Sequence, residues 1–481
     1  MQDWFPLTSE VMLRKGYSKF ATGFSGNSET GLVYAGGSSN KFMTVTNGGN
    51  VYDITSGGAV GAAMTSGLTN GRWQYTNITT SGGSYLMMVN GTDKLRTFDG
   101  TTWHKDGDGA PYDVTGFDTS NAHNITLFKN RIWLVEKNTL KVWYLPITAI
   151  GGAATALDLS AIAQRGGYLI AMVTWTVDGG NGIDDLAVFI TNKGEFLIYQ
   201  LTDPTTPSGI ALKGVWYIAP PLGKRCSLKF GGDVLVITQL GVVPLGKYFL
   251  SPQIDQRIAL TDKIRSAVST AAMNYGSNFG WQLCHYAKGN QLYLNVPVSE
   301  GASQQQYVQN TADPQKQPWG GPFTGYKANW FEIFNDEIYF GSNGYVGRAW
   351  NTFADNGVAI QGQLLQAFNP FGSDQQKRFT MFRPILRTNG QPSLQGAINI
   401  EFDTSIATSS VATVPANYSA WDTARWDSGT WGVDLIVSKS WQEAGGIGVY
   451  GAPQLVAQSN GIETRWTSSD VAFEMGGVIG A

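Results

Sequence analysis

Residues 241–248, GVVPLGKY, come close to the phosphate-loop pattern G-x-x-x-x-G-K-[ST]. That chemistry needs a hydroxyl after the lysine to hold magnesium, and a helix after the loop. Tyr248 replaces the hydroxyl, Pro244 interrupts the loop and the context reads as strand, so no nucleotide site is expected. Asp106-Gly107-Asp108-Gly109 and residues 178–185, DGGNGIDD, gather oxygen ligands, but neither supplies the spaced ligands and closing Glu of a calcium loop. They are expected to be turns. Residues 98–103, FDGTTW, and 427–431, DSGTW, each fall one residue short of the Asp-box turn of sialidase propellers, which staples a hairpin rather than reacting. A propeller glycosidase would need acids that converge, and Asp53, Asp99, Asp185 and Asp233 are candidates by type alone. The signatures of sucrose-cleaving propellers, the G-x-S-x-G elbow and H-E-x-x-H are missing. With His104, His123 and His285 the only histidines, neither a His-rich metal site nor a Ser–His pair is expected. Cys226 and Cys284 could pair, and spacing does not decide it; the expectation is two buried thiols in a reduced compartment. Trp421, Trp426 and Trp431, five apart, could stack on sugar but fit a core or an interface anchor better. No catalytic, cofactor-binding or metal-binding residue is assigned, and the chain is expected not to be an enzyme.

Composition points the same way. Charged residues make up 14% of the 481 residues, against about 25% in an ordinary soluble domain. Sixty glycines and 12% aromatics suit many short strands joined by tight turns. The net charge of −3 and the lack of a Lys/Arg block give no footprint for wrapping nucleic acid. The first residues, MQDWFP, show no basic-then-apolar signal, and no 18-residue apolar run reads as a membrane anchor. The sequons at Asn77, Asn90 and Asn124 are therefore read as chance.

The elements that would position these residues are hairpins. Residues 85–98 alternate around Asn90-Gly91-Thr92-Asp93, and a further turn at Asp99-Gly100 leads to Trp103. The same shape recurs at 41–54, 131–145, 185–199, 233–245, 291–311 and 337–349, with Gly or Asn at most of the turns, where positive φ is needed. A spacing of about 43 to 57 residues matches the blade length of propeller repeats. Further strands, at 168–177 and 211–218, bring the count toward four per period. A lone hairpin is marginal in water, and stacked blades would cover both its faces. The expected fold is all-β: an N-terminal arm or strand at 1–24, a β-propeller of six or seven blades at 25–350, and an additional C-terminal β domain at 351–481, possibly sandwich-like. Helices are expected only at 261–272, capped by Thr261 with Ile264, Val268 and Ala271 on one face, and at 159–164.

Several stretches together resemble the tail hub or nozzle proteins of short-tailed (podovirus) bacteriophages, also called packaged-DNA stabilisation proteins. They are residues 3–23 (DWFPLTSEVMLRKGYSKFATG), 90–103, 182–204, 221–245 (PLGKRCSLKFGGDVLVITQLGVVPL), 305–319, 337–350 and 378–386. None is a catalytic signature, and a longer segment before Trp4-Phe5-Pro6 would be expected. The resemblance implies a structural virion protein whose copies form a ring, six in number, in the viral tail below the portal and its adaptor protein. Its partners would be itself, the adaptor, tail needle, spike or fibre proteins, and double-stranded DNA passing through the lumen without sequence-specific binding. It would be assembled in the host bacterial cytoplasm, retain the packaged genome and open for ejection. A near-neutral conduit suits sliding, because each phosphate neutralised adds affinity. Residues 421–431 would suit ring contacts. The alternative is a carbohydrate-binding or carbohydrate-degrading propeller of a phage tail, a receptor-binding protein.

Overall fold

The computed structural model describes residues 1–178, 183–250, 258–413 and 435–476. The chain is all-β, built from many sheets, and divides into two units. One comprises Lys19–Gln304 and Lys327–Gly347; the other comprises Met1–Ser18, Gln305–Tyr326 and Arg348–Ala481.

In the first unit the expected hairpins form with the expected turns. Gly83–Val89 pairs with Arg96–Phe98 in the register Leu86↔Phe98, and Gln74–Thr80 and Trp103–Lys105 complete that four-stranded sheet. The next two sheets repeat it: Ala122–Phe128, Arg131–Glu136, Lys141–Tyr144 and Thr155–Asp158, then Leu169–Asp178, Ile183–Thr191, Glu195–Leu201 and Ile210–Tyr217. Three strands follow, Ser227–Phe230, Asp233–Thr238 and Gly241–Pro244. Gln282–Tyr286 then pairs with Gln291–Ser299. In the last sheet Trp330–Phe334, Glu337–Gly341 and Asn343–Thr352 are followed by the early strand Gly16–Tyr34, then by Lys41–Thr46 and Val51–Asp53.

Side-chain alternation explains the stacking. In Arg131–Glu136, Ile132 and Leu134 join a core with Met87 and Val89 of the preceding sheet. Trp133 and Val135 point the other way, into a core with Phe189 and Leu197 of the following one. Likewise Leu86 and Met88 meet Met43 and Val45, whereas Val188 and Ile190 meet Val234 and Val236. Central strands such as Arg131–Glu136 and Ile183–Thr191 are apolar on both faces because their sheets are covered on both sides. The unit is propeller-like.

The two ends of this unit's sequence are fastened together. Trp330 Nε1 donates to Ser28 Oγ (2.8 Å), and Asn329 Nδ2 donates to Ser28 O (3.0 Å). The Trp330 ring fills space that only glycine leaves open. A Cβ on Gly31 would lie 2.4 Å from it, and one on Gly341 would lie 1.9 Å from its Nε1.

The second unit is a two-sheet sandwich. Trp4–Pro6, Val11–Leu13, Thr464–Met475 and Lys377–Thr388 form one sheet, with Ile436–Lys439 and Gln442–Gly448 also on Lys377–Thr388. Ile360–Leu365, Gly451–Ser459 and Ser393–Ile400 form the other. Trp4, Leu13, Leu364, Leu386, Leu455 and Trp466 share its core. Buried Arg14 joins Asp3 (2.5 Å) to Asp355 (2.6 Å), and Asp3 Oδ2 accepts from Thr324 Oγ1 (2.8 Å). Residues 1–18 thus lie in the same unit as the C-terminal strands rather than forming an arm of their own, and 305–326 belong there too. Sequence-local hairpin signals carry no trace of such long-range pairing.

Both helix expectations need correction. The helix is Arg265–Tyr275, after a 3₁₀ turn at Asp262–Ile264, and Val268, Ala271 and Ala272 are its buried residues. Thr261 caps nothing: its buried Oγ1 accepts from Val242 N (3.1 Å). Residues 159–164 make only a turn, closed by Ala163 N to Leu159 O (3.1 Å). Among the described residues no helix is long and apolar enough to cross a membrane.

The Trp330 fit yields a test. Gly31→Ala and Gly341→Ala should each destabilise the protein by about 1–3 kcal/mol through overpacking, whereas Gly232→Ala, where a Cβ meets open space, should stay within about 0.5 kcal/mol of the parent. Urea denaturation followed by tryptophan fluorescence gives the three values.

Candidate functional site

Seven successive stretches of the first unit line one cavity of ≈ 490 Å³: residues 30–31, 73–76, 124–127, 172–174, 224–229, 282–285 and 330–333, with Val234 behind them. All except the first lie at or just before the first strand of a sheet, and 30–31 lie in Gly16–Tyr34, inside the seven-stranded sheet. The links between neighbours are specific. Gln282 Nε2 donates to Phe331 O (2.9 Å), and Gln282 Oε1 accepts from Phe331 N (3.0 Å). Arg225 and Gln282 form a parallel bridge. His123 Nε2 donates to Ile170 O (3.0 Å), and Thr126 Oγ1 donates to Met172 O (2.7 Å).

Arg225 holds the wall. Its Nη2 donates to Glu29 O (3.0 Å), Thr30 Oγ1 (2.6 Å) and Trp73 O (3.2 Å). Its guanidinium rests 5.0 Å from the centre of the Phe279 ring, and Arg72 rests 4.5 Å from it. Arg72 in turn pairs with Glu29 (3.2 Å) and Glu300 (2.8 Å). Burial pulls Arg225 down to about 10, and the negative charges of Glu332 and Glu29 limit the fall.

Glu332 is the acid on the cavity wall. It accepts from Tyr75 Oη (3.1 Å) and from Ile333 N (3.2 Å). Burial pushes its carboxyl up to about 7, although those two hydrogen bonds and the Arg225 charge favour ionisation. Lys224 lies at the same wall and is held below the ordinary lysine range by burial and by the charges of Arg72 and Lys137. Burial, with the Lys224 charge behind it, lowers His123 to about 4.

The carboxylates singled out by type do not meet. Asp53 accepts from Thr55 N (2.9 Å) and Lys41 Nζ (3.4 Å); Asp185 pairs with Lys129 (3.3 Å). Asp233 accepts from Val234 N (2.7 Å) and Gly246 N (2.8 Å). Asp99 is the expected turn staple, accepting from Thr101 N (2.8 Å) and Thr102 N (2.7 Å). Partial burial opposes ionisation there, but these amides, the Thr101 hydroxyl and His104 hold its carboxyl at about 2. None of the four lines the cavity. In Asp106–Gly109 the carboxylates serve turns: Asp106 accepts from Val114 N (2.9 Å) and Thr119 Oγ1 (2.6 Å), and Asp108 from Lys105 N (2.9 Å). Among the described residues no group of three or more His, Cys, Asp or Glu is placed to hold a metal.

A helix, Leu245–Leu250, does follow Gly241–Pro244, contrary to the purely strand context expected. The resemblance to a phosphate loop still fails, because residues 241–244 are a paired strand and the Gly246 amide is spent on Asp233. Cys226 and Cys284 are free and buried. Burial pushes the Cys226 thiol up to about 12 and that of Cys284 well above the ordinary range, so neither is a ready nucleophile. The sequon amides are engaged: Asn77 Nδ2 donates to Val33 O (2.9 Å), and Asn124 Oδ1 accepts from Met172 N (3.1 Å). Asn90 Oδ1 accepts from Asp93 N (2.7 Å). Residues 179–182 and the tryptophans at 421, 426 and 431 lie outside the described residues.

Sequence reasoning missed Arg225, Glu332 and Tyr75. For Glu332 the signal available was a charge inside an apolar run, WFEIF; Arg225 lies in the basic stretch GKRCSLKF, which gives no such signal.

No family model matches the chain, and no curated protein matches it. Among solved structures it is similar to the Myceliophthora thermophila Cps50 (Swd1) β-propeller domain, with 14% identity over 69% of this chain and 99% of that one, at TM-score 0.42. It is also similar to the extracellular domain of the B. thetaiotaomicron hybrid two component system BT3049, with 11% identity over 75% of this chain and 46% of that one, at TM-score 0.43. A third is BBS1N in complex with ARL6DN, with 15% identity over 44% of this chain and 63% of that one, at TM-score 0.29. The chain thus spans less than two thirds of the length of the last two. These likenesses carry no functional argument.

The two shifted groups oppose each other. Glu332, raised from 4.5 to about 7, contributes stability below pH 4.5 that is lost as pH rises through 7. His123, lowered from 6.5 to about 4, contributes stability above pH 6.5 that is lost as pH falls through 4. Between about pH 4.5 and 6.5 their slopes cancel. Glu332→Gln should therefore make stability rise with pH across that window, and His123→Gln should make it fall, each by about 1–3 kcal/mol in total. Urea midpoints measured at half-unit pH steps read the slopes.

Proposed function

We propose that the first unit closes into a seven-bladed β-propeller, and that the protein is a non-catalytic structural subunit of the ring-shaped tail nozzle of a short-tailed phage. Seven wall segments around one cavity, joined by the Gln282–Phe331 and Ser28–Trp330 contacts, support the closed count. The strand Gly16–Tyr34, lying between Asn343–Thr352 and Lys41–Thr46, would join the last blade to the first.

The observation that carries the functional reading is where the phage-like stretches fall. Residues 3–23 hold Asp3 and Arg14 of the buried ion cluster and two strands of the sandwich. Residues 221–245 hold Lys224 and Arg225 and three strands of one sheet. Residues 337–350 hold Gly341 against Trp330. The stretches read as resembling the phage proteins fall on framework, as suits a part whose task is shape.

The cavity of ≈ 490 Å³ is lined by side chains of one chain and is not proposed as the path of the DNA. A lumen for DNA must come from a ring of copies, built by head-to-tail contacts that close by rotation. The membrane-free virion tail and the adaptor, needle, spike or fibre partners belong to the same proposal.

Purified protein mixed with a portal–adaptor complex should add a ring of six copies, seen in negative-stain class averages and as a mass step by mass photometry. Protein that stays monomeric and adds no density below the adaptor would overturn the reading.

A further inference from the structure

We infer that Phe279, together with the ion pair Arg72–Glu300, forms a salt-sensitive plug over Arg225 at the wall of the first unit's cavity, and that loosening this plug admits water and small solutes. The first ground is the order of the layers. Arg225 lines the cavity, whereas Phe279 and Arg72 do not. Yet both guanidinium groups rest on the Phe279 ring, at 5.0 Å and 4.5 Å. The ring therefore lies behind Arg225 as seen from the cavity. Arg72 borders water, with 42% of its side chain exposed.

The second ground is how the plug is tied. Phe279 N donates to Glu300 Oε1 (2.6 Å), and Asn278 Nδ2 donates to Pro297 O (3.0 Å) and Val298 O (3.2 Å). The loop 276–280 and the end of the strand Gln291–Ser299 are thus tied into one body. Gly280, at φ +124°, turns the chain between Phe279 and the buried Trp281, whose Nε1 donates to Tyr275 O (2.9 Å). That body meets the early segment through Arg72. Its Nη2 donates to Glu300 Oε2 (2.8 Å), and its Nε donates to Glu29 Oε1 (3.2 Å). Glu29 is nearly buried and also accepts from Gly71 N (3.1 Å), whereas 39% of the Glu300 side chain is exposed. The outer pair is the weak link, because half-exposed ion pairs are screened by salt and hold little.

The two cysteines report on the plug separately. Cys284 lines the cavity two residues past Gln282, which bridges to Arg225, and its thiol is free. Cys226 is buried in the core with Ile190 and Val236 and does not line the cavity. Local opening of the plug exposes the first thiol, and unfolding of the unit exposes both.

The test labels the full chain with N-ethylmaleimide, an uncharged reagent, at fixed and mildly alkaline pH. Mass spectrometry of the peptides holding each cysteine gives the two rates. Phe279→Ala should speed labelling of Cys284 by at least about tenfold and leave that of Cys226 unchanged. Glu300→Gln keeps an acceptor for Phe279 N but loses the charge. It should speed labelling of Cys284 by about twofold to fivefold, the worth of one half-exposed ion pair. Added sodium chloride should raise the parent rate toward that of Glu300→Gln and move the variant less. If Phe279→Ala fails to fold, Cys226 labels as well, and Glu300→Gln, a change at an exposed position, carries the result. Unchanged Cys284 labelling in Glu300→Gln, a parent rate indifferent to salt, or Cys226 rising in step with Cys284 in that variant would overturn the inference. Ring formation does not enter this readout, and the inference does not rest on the tail-nozzle reading.

Discussion

Residues 28–31 are the point on which the first unit depends. Ser28 receives Trp330 and Asn329. Thr30 Oγ1 donates to Gly71 O (2.5 Å) and accepts from Trp73 N (3.1 Å) and Arg225 Nη2. Gly31 leaves room for the Trp330 ring. One short segment thus holds groups from positions 71–73, 225 and 329–330. Sheets stacked in series have two open ends, and each would expose apolar strand faces to water. Fastening late residues to early ones covers apolar faces where they meet, as Phe42 and Trp330 share one core.

The polar groups facing the cavity follow from the same constraint. Inner strands that converge need hydrogen-bond partners for their first residues, and Gln282, Thr126, His123 and Arg225 supply them to neighbouring backbone. Burying an unpaired polar group is costly, so most of these side chains are committed to shape. Arg225 does so through Nη2, which is shared among three oxygens. Glu332 and His123 record the same enclosure as opposite shifts in proton affinity.

Much of the architecture was legible in the sequence because hairpins are local. Period-two alternation with Asn-Gly, Asn-Lys-Gly or Lys-Asn turns placed the strands around 41–53, 83–98, 131–144 and 183–201 within a few residues. Residues 245–250, LGKYFL, read as strand because so short an apolar run has no helical period of its own; packing after Pro244 decides its state. The grouping of residues 1–18 with 348–476 rests on contacts such as Arg14–Asp355, and nothing local announces a partner 341 positions away. The cavity wall was hidden for a related reason. Glu332 sits in an apolar strand and Arg225 just before the strand Ser227–Phe230, each like any surface charge, and only the convergence of seven segments places them on one cavity wall.

The most direct measurement is hydrogen–deuterium exchange on the full chain, resolved to peptides covering 28–34, 225–230 and 329–341. If the early strand is fastened as described, all three should exchange together, at the rate of global unfolding and with the same denaturant dependence. Fast, independent exchange of 28–34 while the other two stay protected would contradict the account.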